Sequence, residues 1–187
     1  MANPLPPFTF FFLLFLLLAT PSSTSSPTFP IPINSDRQSH LQFYIHDKIS
    51  NPNATAIKVA ADPNGSRASA TGLHFGSIYV IDDPLTEGPD PNSKPLGRAR
   101  GLYSVSSSDG SDLYFTVNVI FMYGIYNGSS VAIVGRDPII EKVRELPVVG
   151  GTGIFRLARG FAFMKTHAFD TTTGDAVLFV EAYILHH

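Results

Sequence analysis

From Leu41 onward the apolar positions recur with a period of two, in short runs separated by Gly, Pro, Asn and Asp. Leu113, Phe115, Val117, Val119 and Phe121 alternate with Tyr114, Thr116, Asn118, Ile120 and Met122. Successive side chains of a strand point to opposite faces, so this run predicts a strand whose second face is only partly polar. In the last run Leu178, Val180, Ala182 and Ile184 form a wholly apolar face, and the other face carries Glu181 among Val177, Phe179, Tyr183 and Leu185. Strands apolar on nearly both faces are covered on both sides. In a barrel the interior covers one face and a neighbouring subunit covers the other.

The pattern predicts eight strands, at Leu41–His46, Thr55–Ala61, Leu73–Asp82, Arg98–Ser106, Leu113–Tyr123, Ser129–Val134, Phe161–Phe169 and Ala176–Leu185. Turn signals stand between them at Asp109-Gly110, Asn127-Gly128, Gly150-Gly151 and Thr173-Gly174-Asp175. Helical pattern is nearly absent, apart from one turn expected around Gly153–Ala158. Many short hairpin-linked strands give an all-β up-and-down barrel or a sandwich. An eight-stranded antiparallel barrel leaves room for one small ligand.

The N-terminal stretch changes the picture of where this fold works. Phe8–Ala19 is twelve residues without a charge, shorter than the ~20 a spanning helix needs. It reads as a signal-peptide core within residues 1–25, with cleavage among residues 20–26; an uncleaved anchor is the alternative. Residues 26–40, rich in Ser and Pro, are expected as a flexible arm, and residues 41–187 as the barrel domain. Three acceptor motifs for N-glycans, at Asn53, Asn64 and Asn127, agree with export to the extracellular space. Asn127-Gly128 also suits a hairpin tip.

Charge and composition narrow the chemistry. Thirteen Lys and Arg stand against fifteen Asp and Glu with no basic cluster, so nucleic acid is not an expected partner. There is no cysteine, which excludes thiol nucleophiles, Cys-based zinc and iron–sulfur sites. The six histidines lack ligand spacing, and His186-His187 is terminal and expected to fray, so no metal and no cofactor are expected. Gly150-Gly151-Thr152-Gly153 lacks the Lys-Ser/Thr of a phosphate loop and the last glycine of a dinucleotide fingerprint, and reads as a tight turn. No Gly-x-Ser-x-Gly elbow is present.

Longer strings carry more. They are His46-Asp47-Lys48-Ile49, Phe75-Gly76-Ser77-Ile78-Tyr79-Val80-Ile81-Asp82-Asp83-Pro84-Leu85-Thr86, Gly97-Arg98-Ala99-Arg100-Gly101-Leu102-Tyr103, Gly135-Arg136-Asp137-Pro138, Val143–Gly153 and Phe155–Gly160. In this order and spacing, from about Leu41 to His186, the chain resembles the plant dirigent family. The resemblance implies an eight-stranded calycin-like barrel of the allene-oxide-cyclase type, assembled as a homo-oligomer, a trimer or a dimer. It implies secretion to the cell wall and stereoselective coupling of phenolic radicals from monolignols such as coniferyl alcohol. The radicals would come from a separate one-electron oxidase, such as a laccase or peroxidase. Some relatives instead close an isoflavanol to a pterocarpan, and a quinone methide is the shared intermediate. A carrier or defence protein without chemistry is a third reading.

The family's functional residues map onto Asp47, Tyr103, Asp137 and Arg144. A carboxylic acid in an apolar cavity holds its proton and can protonate a quinone methide carbonyl; an arginine fixes a phenolate or carboxylate with two prongs. Plainer readings stand beside each. Asp47 suits a cap before Ser50-Asn51-Pro52, Tyr103 suits barrel filling, Asp137 suits an Asx turn before Pro138, and Arg144 suits a surface pair with Glu141 or Glu145. Arg98, Arg100 and Arg159 read as structural. Lignan-forming relatives can carry a second tyrosine two residues after the first; this chain has Val105 there.

Overall fold

A computed structural model describes residues 37–61 and 72–187. The signal peptide expected in residues 1–25, most of the arm, and Asn64 lie outside the described residues. The strands are β1 (Arg37–Asp47), β2 (Ala56–Ala60), β3 (Ile78–Thr86), β4 (Pro95–Val105), β5 (Asp112–Phe121), β6 (Ser130–Pro138), β7 (Arg144–Thr152), β8 (Arg159–Phe169) and β9 (Ala176–His186). Every pairing is antiparallel. Strands β3 to β9 follow one another round the sheet, β9 pairs with β1, and β1 returns to β3 through Tyr44 opposite Thr86 and Ile45 opposite Leu85. That last contact closes an eight-stranded barrel. Among the described residues strand β2 is the ninth; it lies outside the ring and pairs with β3 alone.

The expected total of eight barrel strands holds, but its membership differs. Thr55–Ala61 is the extra strand, and Arg144–Thr152, expected to be loop and turn, is a barrel strand. Pro147 and the glycine pair hid it. Pro147 lacks an N–H, yet the β6–β7 ladder stops at Val148, where a bulge shifts the register, so no ladder bond is lost there. Gly150 and Gly151 pair with Ala132 and Val131 instead of turning. At Gly151 a Cβ would lie 2.4 Å from the Phe155 carbonyl oxygen, so backbone contact explains the residue. The turn falls at Gly153–Phe155, a single 3-10 turn. Strand β1 begins four residues before Leu41, inside the expected arm, and β3 begins at Ile78 rather than Leu73.

The inner face follows the period-two pattern. Phe43 and Ile45, Val117 and Val119, Leu146 and Val148, and Val180, Ala182 and Ile184 are all buried. One end of the barrel is packed with aromatics. Phe121, Tyr126 and Phe155 have ring centroids 5.0–5.6 Å apart, and His186 meets Phe155 edge-on at 5.2 Å. His186 is therefore not frayed: it is buried in β9, with its Nε2 2.9 Å from Ser39 Oγ. The two ends thus differ in kind, and the polar interior residues gather at the other one.

Outside, Asp82 takes Arg98 and Arg100, the latter at 2.9 Å, and ties β3 to β4. On the outer face of β1, β9 and β8, Tyr183 stacks on His40 at 4.5 Å and on Phe161 at 5.2 Å, and Tyr44 meets Phe179 at 5.2 Å.

Candidate functional site

Register alone brings the polar interior residues to one end. Asp47 lies at the C-terminal end of β1, Tyr103 near that of β4, Asp137 near that of β6, and Arg144 at the N-terminal end of β7. Because neighbours run antiparallel, these ends coincide. In ring order β1-β9-β8-β7-β6-β5-β4-β3, Asp137 and Arg144 stand on adjacent strands, across the interior from Asp47 and Tyr103.

The first station is an ion pair. Arg144 Nε lies 2.9 Å from Asp137 Oδ1, and the side chains are 2% and 4% exposed. The N–H does not aim along that line, so the contact is Coulombic rather than a directed hydrogen bond. Arg144 Nη1 donates to Thr166 Oγ1 of β8 at 2.8 Å, while Nη2 and Asp137 Oδ1 have no hydrogen-bond partner among the described residues. Burial raises the Asp137 carboxyl above its ordinary value; Arg144 opposes the rise and Asp112 adds to it. Desolvation wins, so the carboxyl takes up a proton more readily than a free aspartate does, beside a fixed cation. The surface-pair reading of Arg144 and the exposed Asx-turn reading of Asp137 do not hold, because both side chains face inward.

The second station is built from β1, β3 and β4. The Tyr103 hydroxyl and the Asp47 carboxyl act on one another, and the Tyr103 ring stacks on Tyr79 at 4.9 Å and 20°. Beside it is Asp83, 1% exposed. Burial and the Asp47 charge push Asp83 up to about 8, and burial pushes Asp47 up to about 6 against the Tyr103 hydrogen bond. Burial followed by the Asp47 charge also raises both tyrosine hydroxyls. At position 101 β4 lies against the backbone of β5: a Cβ there would run into the Thr116 carbonyl oxygen, so only glycine fits.

Asp83, Tyr79 and Thr166 were not singled out in the sequence. Asp83 and Tyr79 were visible inside the Phe75–Thr86 string, and Thr166 continues the Ala162, Met164 alternation of β8. Nothing local marks Asp83 or Tyr79 as interior residues, and Thr166, exposed on β8, is distinguished only by its bond to Arg144. Val105 is buried and apolar next to this wall.

At the same mouth a cavity of about 430 Å³ is lined by Asp47, His46, Phe169, Asp175 and Val177 among others. Tyr103, Asp137 and Arg144 do not line it, so a ligand reaches the ion pair only when covering side chains move. Asn53 and Asn127 are exposed on connections.

The comparisons with known proteins agree with this geometry. A family model described as "Dirigent-like protein" matches residues 38–185. The chain belongs to the dirigent family. It is 45% identical to Dirigent protein 1 of Arabidopsis thaliana over 175 residues, 91% of this chain and 92% of that one. It is 38% identical to Pterocarpan synthase 1 of Glycyrrhiza echinata over 178 residues, 95% and 93% of the two chains. A solved pterocarpan synthase dirigent protein superposes with a TM-score of 0.76 at 39% identity, covering 82% of this chain and 87% of that one.

Proposed function

We propose that this dirigent protein binds a phenol-derived quinone methide and controls which face of it forms the new bond. The observation that carries the reading is a carboxyl, Asp137, enclosed beside Arg144 with its proton favoured by burial. Asp137 protonates the quinone methide carbonyl, which makes the exocyclic carbon a stronger electrophile. Arg144 holds the resulting carboxylate, and the barrel wall sets the face presented.

Two substrate classes share this step. Similarity to pterocarpan synthases favours a dehydrating ring closure of a hydroxylated isoflavanol. Polar stations on opposite walls favour the coupled dimer of two monolignol radicals, which has two phenolic ends. In that reading a separate oxidase supplies the radicals. Turnover of an isoflavanol without oxidant supports the first. Chiral analysis of coniferyl-alcohol products, with a one-electron oxidant and with or without the protein, supports the second. Racemic product and no isoflavanol turnover would refute both.

The same reading includes export, an N-glycan and a homo-oligomer. Support comes from the apolar Phe8–Ala19 run, exposed Asn53 and Asn127, and the outer face that leaves Phe161 and Tyr183 each 38% exposed.

A further inference from the structure

A histidine on the outside of the wall is enclosed at the same mouth. His46 follows the inward Ile45 on β1, so alternation sends its side chain to the outer face with Tyr44. Val177, its partner on β9, and Thr86, diagonal to it on β3, share that face. His46 is nevertheless only 9% exposed. Its Nε2 lies 2.7 Å from Thr86 Oγ1, and Thr86 Oγ1 lies 2.7 Å from the Gly88 carbonyl oxygen. The threonine hydroxyl has one hydrogen, and a carbonyl oxygen only accepts. That hydrogen therefore goes to Gly88, and Nε2 must carry the hydrogen that His46 donates to Thr86. The tautomer is fixed by this chain of contacts: in the neutral ring Nδ1 holds a lone pair. Burial lowers the ring below its ordinary value against the Asp90 charge, which favours the neutral form. No described group is hydrogen-bonded to Nδ1, and the atom is not sealed in the wall.

His46 borders the cavity of about 430 Å³, a size that suits a single ring with a short tail. Phe169, 55% exposed, Val177 and Pro91 give it apolar walls. Two carboxylates of the lining are already committed to backbone. Asp170 Oδ1 accepts the Thr172 N–H at 2.8 Å; Asp175 Oδ1 accepts the Ile49 and Ser50 N–H groups at 2.9 Å, and its Oδ2 the Ser50 hydroxyl at 2.6 Å. Lys48 is the only lysine or arginine among the described lining residues, so the rim disfavours an anion. The acceptor left for a ligand is Nδ1. Tyr183 of the outer aromatic face is six residues along β9 from Val177, about 20 Å away at strand rise.

We propose that this outer cavity binds a small neutral phenol, whose hydroxyl donates to His46 Nδ1 while its ring lies against Phe169 and Val177. A phenol combines a strong O–H donor with a flat apolar body that packs on an aromatic face. The site is separate from the interior stations, since Tyr103, Asp137 and Arg144 do not line it, and it does not depend on the quinone methide reading.

The test uses protein labelled with 15N in its histidine rings, at neutral pH, titrated with 4-propylphenol and with its methyl ether, which lacks the donor. Long-range NMR correlations of free wild type should show His46 protonated at Nε2 and bare at Nδ1. The phenol should shift the Nδ1 signal saturably, and the ether should not. His46→Phe keeps a flat ring and removes the acceptor; it should weaken phenol binding about tenfold, the upper end for one hydrogen bond, and leave ether binding unchanged. Phe169→Ala, at a half-exposed position, should weaken both ligands. Should His46→Phe fail to fold, the wild-type titrations and Phe169→Ala decide the matter. A ring protonated at Nδ1 in the free protein, a phenol that leaves Nδ1 unmoved, equal affinity for phenol and ether, or unchanged binding in Phe169→Ala would overturn the proposal.

Discussion

Arg144 Nε stands 2.9 Å from Asp137 Oδ1 with both side chains enclosed, although the residues belong to adjacent strands joined by a five-residue connection. An enclosed charge is expensive unless paired, so each residue justifies the burial of the other. Thr166 occupies a second prong of the guanidinium, and a third has no partner among the described residues.

The acid role of Asp137 has a direct consequence. Asp137→Asn keeps the shape and removes the proton, and stereoselective product or cyclase turnover should fall ~100- to 10,000-fold. Chiral chromatography of the product, alongside an unchanged circular dichroism spectrum, checks this. Wild-type selectivity in the variant would mean that shape alone controls the reaction.

Arg144 uses different nitrogens for Asp137 and Thr166, and a lysine head cannot span both. Arg144→Lys should therefore lose function while remaining folded. Arg144→Leu leaves the enclosed carboxyl alone and should cost about 3–5 kcal/mol in urea unfolding at neutral pH. A destabilisation below about 1 kcal/mol would show that Asp137 is already neutral without its partner.

Stability should also depend on pH with a definite sign. Asp83 has a folded value of about 8 against an ordinary 3.8, so between these the folded chain binds more protons than the unfolded one. Stability from this group is full below the lower value and is lost as pH rises through the upper one. Thermal midpoints of wild type should fall across that window, and Asp83→Asn should flatten the slope. An unchanged slope in the variant would assign the effect elsewhere.

The outer aromatic face gives a test of assembly. Phe161→Glu places a charge beside Tyr183 and Phe163, and should shift a wild-type trimer or dimer toward monomer in sedimentation equilibrium. A wild-type monomer would remove the oligomer from the reading.

Export and glycosylation are checked together. Protein made in plant cells should begin after residue 19 and gain gel mobility on glycosidase treatment. Asn53→Gln with Asn127→Gln should remove the part of the shift due to the described sites. An intact Met1 in the cytosol would refute export.

The sequence by itself determined the strand period and the all-β class, because alternation is a local consequence of pleating and burial; the pattern alone left barrel and sandwich open. It also supplied the strings that identify the family. It did not reveal β7, since Pro147 and Gly150-Gly151 carry local signals of interruption that a bulge and a close backbone contact override. Nor did it reveal which buried polar groups meet. Asp47 and Asp83 are 36 residues apart in a chain whose partners are chosen by where β1 leaves the β3 edge. Only closure of the barrel sets those strands side by side, and only the resulting desolvation makes ordinary aspartates hold protons near neutrality.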